Sequence, residues 1–360
     1  MIYCYYTTKT AGWQHSAQLV LYKTKKELLH FLQLFTMKEF LIQENDCGQR
    51  LDKFLRKAIP KLPQGMLYKF LRTKKIKVNR KRADCAQMLQ AGDVVTCYIH
   101  DEFFAPQKAQ TPKEYAFRKA PAELDIIYED ENLMLVYKPA GLVVHEDDHQ
   151  SEDTLIARVL HYLYHNGSFK PEQEHAFSPA LCNRLDRNTS GLVIAAKNAA
   201  ALRELNRLIR ENRIHKSYLC VTVSPPPKKQ DTLHAWHYKP RDGKIVKISG
   251  KQLSGYREII TKYNVLARKD NLCLVKINLI TGRTHQIRAH MAFAGAPLLG
   301  DDKYGNSEKN RAHRCKYQQL CAYRLQFEPE KESPLAYLNG RRFTCGIPTF
   351  AKKYFPDASV

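Results

Sequence analysis

The nonapeptide Asn183-Arg184-Leu185-Asp186-Arg187-Asn188-Thr189-Ser190-Gly191 decides how this chain is read. One carboxylate, Asp186, sits between two guanidiniums, Arg184 and Arg187. A Thr-Ser-Gly turn follows, then an apolar run over 192–196. Positive charge beside a carboxylate favours its ionised form. A guanidinium fork also matches the oxygens of a phosphate. The segment therefore offers a nucleophile or base beside groups that hold a phosphate-rich ligand. An arbitrary Arg-x-Asp is more often a surface ion pair at a turn, so the case rests on the rest of the chain.

The chain has 360 residues, enough for two or three domains. Its 44% hydrophobic and 26% charged residues are ordinary for a globular protein. Its net charge of +22 is not, and such a field attracts polyanions, above all nucleic acid. Between Arg50 and Ala83, thirteen Lys/Arg face one acid, Asp52, a net of +12 in 34 residues. Ten scattered cysteines include no Cys-x-x-Cys pair and read as reduced thiols of a cytoplasmic protein. His161 and His165 have helical zinc-ligand spacing but no Glu or Cys partner, so a half-exposed helix face is expected there. No stretch has the apolar length of a membrane span, and residues 1–36 do not read as a secretory signal. Patterned sequence begins at Met37. Residues 1–36 are expected to be a disordered extension, or to lie upstream of a true start at Met37.

Residues 49–59 and 64–73 carry apolar side chains at helical spacing, with Pro60 and Pro63 in the gap. Ile76-Lys77-Val78 and the run 93–99 read as strands. Residues 37–100 thus form a compact basic module. It resembles the αL RNA-binding motif, on Gln49-Arg50-Leu51-Asp52-Lys53-Phe54-Leu55, Lys74-Lys75-Ile76-Lys77-Val78-Asn79 and Gly92-Asp93-Val94-Val95. The resemblance implies RNA contacts from Arg50, Lys53, Arg56, Lys57, Lys69, Arg72, Lys74 and Lys75. Most charge runs are only a solvated face, but this density within one folded unit favours RNA.

Residues 101–123, with Pro106, Pro112 and Pro121, read as a linker. From 124 the pattern changes. Runs 126–128 and 133–137 form a hairpin around Asp130-Glu131-Asn132, and Leu142-Val143-Val144-His145 resumes a strand. Further strands are expected at 218–223 and 272–279, and helices at 155–164 and 199–211. Strands and helices mix without βαβ alternation. The fold class is therefore α+β, with a largely antiparallel mixed sheet over 124–350, preceded by the small α+β RNA-binding domain. Residues 351–360 are set apart as a tail.

Three strings accompany the nonapeptide: Lys138-Pro139-Ala140-Gly141 after a strand, Lys216-Ser217-Tyr218 entering one, and Gly282-Arg283-Thr284-His285-Gln286-Ile287-Arg288. A Lys-Pro-x-Gly is usually only a turn, and a strand tyrosine usually only packs. In this order, from about 125 to about 348, they resemble the RluA-type pseudouridine synthases. The resemblance implies that Asp186 is the catalytic aspartate and that Arg288 pairs with it. It implies that Tyr218 packs on the uracil and acts as a base at its carbon 5, and that Arg184 fills the gap left by a flipped uridine. Arg187, Lys138, Lys216, Arg283 and His285 join it as RNA contacts. Asn183, Asn188 and Tyr137 depart from residues the family often carries, which bears on the target position.

The implied reaction breaks the uracil–ribose C–N bond and forms a C–C bond, with no redox change. One ionised carboxylate serves it, as nucleophile or as base at the sugar 2′ carbon. No metal cluster or nucleotide loop is visible in the sequence, and no cofactor is expected. A lone carboxylate weighs against glycoside hydrolysis, which uses a pair. The expected enzyme is monomeric, with no protein partner implied, and acts on large-subunit ribosomal RNA. The alternatives are a tRNA-modifying synthase and a non-catalytic RNA-binding or ribosome-assembly factor.

Overall fold

The computed structural model describes residues 2–7, 17–22, 36–104, 115–146, 151–240 and 245–360. It divides into two compact units, Met1–Thr111 with Glu172–Phe177, and Pro112–Pro171 with Ser178–Val360.

In the first unit, strands β1 (Ile2–Thr7) and β2 (Ala17–Tyr22) pair as an antiparallel hairpin within the stretch expected to be a disordered extension. The other residues before 36 lie outside the described residues. A four-stranded sheet follows, ordered β3 (Thr36–Leu41), β6 (Val94–Ile99), β4 (Ile76–Val78), β5 (Lys81–Arg82). Helices α1 (Leu51–Ala58) and α2 (Gln64–Arg72) pack on it through Leu51, Phe54, Leu55, Leu67, Phe70 and Leu71. Asn79 and Arg80 both take positive φ, +49° and +62°, the backbone of a tight β4–β5 hairpin turn. Phe103 and Phe104 pack against this core, so the unit runs past residue 100. Of the expected linker, 105–114 lie outside the described residues.

The second unit is built on one large sheet. Its order is β13 (Lys247–Ser249), β12 (Gln230–Tyr238), β14 (Arg257–Lys269), β15 (Leu272–Leu279), β11 (Ile214–Thr222), β16 (Leu320–Phe327), β10 (Ser190–Ala196), β8 (Leu133–Lys138), β7 (Asp125–Glu129). Strand β9 (Ala180–Leu181) adds to β10, and β17 (Arg342–Thr344) to β16. Among the described residues every strand pairing is antiparallel but one: β10 and β16 run parallel through Ser190↔Cys321 and Gly191↔Ala322. Gly191 sits there at φ +124°, and a Cβ on it would meet the Ala322 carbonyl oxygen at 2.4 Å.

The centre of this sheet is covered on both faces, which explains the unbroken apolar runs. Met134, Val136, Val193 and Ala195 face helix α3 (Leu155–His165), which contributes Leu155, Val159 and Leu163. Leu133, Leu135, Leu192, Ile194 and Ala196 face α4 (Ala199–Arg210), which contributes Ala201, Leu205 and Leu208. Both helices open on a side-chain cap, Thr154 to the Ala157 amide and Asn198 to the Ala201 amide. Leu142–His145 does not form the expected strand. Only an isolated bridge, Val143↔Thr154, survives. The Leu142 carbonyl is taken instead by the Lys138 ammonium at 2.8 Å. The segment set apart as a tail is packed: Ala351 and Phe355, at the last described helix Thr349–Tyr354, are buried against β11 residues Leu219 and Val221.

Candidate active site

A cleft of about 760 Å³ opens in the second unit, lined in part by Arg184, Asp186, Arg187, Lys216, Tyr218, Arg283, His285 and Arg288. Asp186 comes from the loop before β10, Tyr218 from β11, and Arg288 from α5 (Gln286–Phe293). Three sequence-distant strings thus meet in one place.

The Asp186 loop is held by backbone. The Thr189 amide donates to the Asp186 carbonyl at 3.0 Å, closing the turn. Asn183 accepts from the Ile194 amide at 2.8 Å, tying the loop's start to β10. Lys138 holds its other flank. Its ammonium donates to the carbonyls of Pro139, Leu142 and Arg187 at 2.9, 2.8 and 2.9 Å. Its side chain is fully buried. Burial draws its pKa down to about 7, and the Asp186 charge opposes that. Three carbonyls match the three protons of an ammonium. Lys138 is therefore not among the RNA contacts expected of it: it has no exposed surface to give a phosphate, and it joins the Pro139–Gly141 turn to the Asp186 loop.

Arg288 is buried and donates from Nη1 to Asp186 Oδ2 at 3.0 Å. Its other edge is bidentate on Asp301, Nε to Oδ2 at 2.7 Å and Nη2 to Oδ1 at 2.8 Å. Nη2 also reaches Asp302 at 3.1 Å, and the guanidinium lies 5.4 Å over the Tyr304 ring. Burial pushes the Asp301 carboxyl up, but the Arg288 hydrogen bonds and the Lys303 and Tyr304 amides hold it below its usual range. Sequence reasoning gave Asp301, Asp302 and Tyr304 no role. The signal was the glycine bracket around them. A Cβ at Gly300 would meet the Tyr317 carbonyl at 2.1 Å, and one at Gly305 the Asp301 carbonyl at 2.2 Å.

His285 adopts left-handed backbone, φ +54°, just before α5. Its Nδ1 lies 2.9 Å from the Tyr304 hydroxyl and its Nε2 3.9 Å from Asp186 Oδ2. Burial lowers its pKa, Asp186 opposes, and Arg288 adds to the lowering. Tyr218 is buried at the cleft floor, and burial together with the Asp186 charge raises its phenol pKa. Arg184, Arg187 and Arg283 are exposed at the cleft, and Lys216 is half-buried there with its pKa lowered by burial. Gln286, by contrast, is spent internally: it accepts from the Arg283 amide and donates to Ile260 and Thr261.

In the first unit, Lys53, Arg56, Lys57, Lys69, Arg72 and Lys74 are exposed, and Lys75 is half-buried with its ammonium over the Phe70 ring. Arg50 is committed to Asp52, Nε and Nη2 donating at 3.1 and 2.9 Å. Asp52, the acid of the basic stretch, is thus buried and neutralised. Among the described residues no group of three or more His, Cys, Asp or Glu is placed to hold a metal, and no helix is long and apolar enough to cross a membrane.

This fold is that of an RNA-modifying isomerase. A family model described as RNA pseudouridylate synthase matches residues 132–293. The chain belongs to that family, and it is an isomerase that makes pseudouridine in RNA. It is 35% identical over 270 residues to ribosomal large subunit pseudouridine synthase C of Rickettsia conorii, across 72% of this chain and 84% of that one. To the Vibrio cholerae protein of the same description it is 31% identical over 281 residues, across 75% and 82%. Its fold is similar to that of human RNA pseudouridylate synthase domain containing 1, with TM-score 0.51 at 22% identity, over 66% of this chain and 89% of that one. The RluA-type resemblance read from the motifs is borne out.

Proposed function

We propose that this enzyme isomerises uridines of large-subunit ribosomal RNA in the cytoplasm, with Asp186 as the catalytic carboxylate. The observation that carries the reading is the Asp186–Arg288 pair, 3.0 Å apart in a cleft rimmed by exposed arginines. The names of the relatives support ribosomal RNA as the substrate, and the scattered cysteines fit a reducing compartment.

The target uridine must leave its stack to enter the cleft, at roughly a few kcal/mol. Arg184, Arg187 and Arg283 hold phosphates around it. Asp186, a quarter exposed, faces the sugar. It attacks the sugar or removes the 2′ proton; either route releases uracil from N1. The base turns and its carbon 5 bonds to the sugar carbon as the Asp186–sugar bond breaks or, on the other route, as the 2′ carbon takes its proton back; the carbon 5 proton is then lost while N1 gains one. The product is an isomer, so nothing else is consumed. Tyr218 packs on the turning base. Its raised phenol pKa keeps it protonated, which supports a packing surface over a resting base. The basic first unit adds affinity for structured RNA through Lys53, Arg56, Lys57, Lys69, Arg72 and Lys74.

The test is Asp186→Asn on large-subunit ribosomal RNA lacking pseudouridine. We expect no pseudouridine by carbodiimide labelling read out by primer extension, and nearly unchanged RNA affinity. Substantial product from the variant, or a wild-type enzyme active on transfer RNA alone, overturns the reading.

A further inference from the structure

We infer that Asp301 is a positioning residue for the isomerisation, acting through Arg288 on Asp186. The inference rests on the proposed role of Asp186. An arginine has two usable edges, and here they are divided. The Nε/Nη2 edge is locked on Asp301 by two short hydrogen bonds, 2.7 and 2.8 Å. That leaves Nη1 as the group facing Asp186 at 3.0 Å. The direction of Nη1 is therefore set by the carboxylate on the opposite edge.

Asp301 is itself immovable. Its side chain has no exposure, and its Oδ1 also accepts the Lys303 and Tyr304 amides at 2.9 and 3.0 Å. The Tyr304 ring lies against the guanidinium, and the Tyr304 hydroxyl accepts from the Val246 amide at 2.9 Å. The loop over 300–305 thus forms a seat of fixed backbone, and the guanidinium transmits its geometry to the cleft. Asp302 touches the same guanidinium but is 64% exposed, too hydrated to fix it. Charge alone would be served by any cation near Asp186. The bidentate fork fixes direction as well, which a lysine cannot do.

The experiment compares Asp301→Asn, Asp302→Asn, Arg288→Lys and the Asp301→Asn/Arg288→Lys double variant of the full chain, with Asp186→Asn alongside. Turnover, RNA KM and thermal unfolding are measured on each. An asparagine turns an amide N–H toward the arginine and breaks one arm of the fork. For Asp301→Asn we expect kcat to fall about 100-fold, the cost of a displacement near 1 Å, with KM unchanged. Asp302→Asn lowers kcat much less than Asp301→Asn, since its contact with Arg288 is hydrated. The double variant falls no further than Arg288→Lys alone, because both changes cut one chain of contacts. An undiminished kcat in Asp301→Asn, or additive losses in the double variant, overturns the inference. If Asp301→Asn does not fold, Arg288→Lys decides: wild-type kcat there means the fork is dispensable. Turnover retained by Asp186→Asn would instead sink the functional reading, which keeps the two failures apart.

Discussion

The ammonium of Lys138 meets the carbonyl of Arg187 at 2.9 Å, across 49 residues of chain. One buried cation thereby fastens the end of β8 to the loop that carries Asp186. The same carbonyl accepts the Gly141 amide at 2.9 Å, so the two loops are joined twice. Replacing Lys138 with Met keeps the length of the side chain and strips a donor from three carbonyls. We expect unfolding stability in urea to drop by about 3 kcal/mol, within the usual cost of orphaned buried groups. Turnover should fall while RNA affinity holds. A variant as stable as the parent would show the three hydrogen bonds to be incidental.

The basic first unit makes a prediction about salt. Changing Lys53, Arg56, Lys57 and Lys69 to Ala removes four exposed cations. The slope of log affinity against log salt should become shallower by about 3, at roughly 0.7–0.9 for each phosphate that is no longer neutralised. Filter binding to a structured RNA across a salt series reads this. An unchanged slope would make the patch a solvated surface.

Gly191 and Gly65 should respond to alanine with opposite signs. At Gly191 the new methyl meets the Ala322 backbone at 2.4 Å with φ at +124°, and we expect a loss of roughly 3 kcal/mol. At Gly65, inside α2, nothing lies within 4 Å. Alanine there should add about 0.5–1 kcal/mol by helix propensity. Denaturation of the two variants side by side is enough, and a Gly191→Ala protein of parental stability would contradict the close approach.

His290 supplies a pH dependence. Burial, with a lesser push from His234, lowers its pKa to about 4, and its Nδ1 lies 3.0 Å from the Thr261 hydroxyl. An unfolded histidine titrates near 6.5. Between these values the unfolded chain binds a proton that the native one refuses, so stability falls as the pH falls. The term is full above about 6.5 and is lost progressively toward 4, at most ~3 kcal/mol. In His290→Asn this term is absent. The wild type should therefore lose its margin over that variant between pH 7 and pH 4, and a constant margin would refute the assignment.

Much of this was legible in the residues. The helices at 51–58, 155–165 and 199–210 were visible as apolar spacing, because each buries one stripe. Asp186, Arg288 and Tyr218 were visible through their strings, and the structure gathers them into one cleft. Lys138 misled because a cation beside a turn looks solvent-facing, and only three-dimensional carbonyl placement reveals it as buried. Asp301 was missed for the opposite reason. An acid in a Gly-bracketed loop looks like a turn residue, and its partner lies on a helix that began earlier in the chain. The 142–145 strand failed because a short apolar run cannot report that a side chain has claimed its backbone acceptor.

On a growing polypeptide the Asp186 carboxylate is made long before its setting. Asp186 leads straight into Ser190 and Gly191, whose parallel partners Cys321 and Ala322 are synthesised some 130 residues later. A ribosome that has delivered everything through α4 has therefore delivered the signature loop but neither the guanidinium opposite it nor the strand beside it. Such distant pairings form slowly, after local helices. Until β16 has emerged and docked, the Asp186 loop lacks the strand that flanks it, so the local geometry of this cleft is completed late in synthesis.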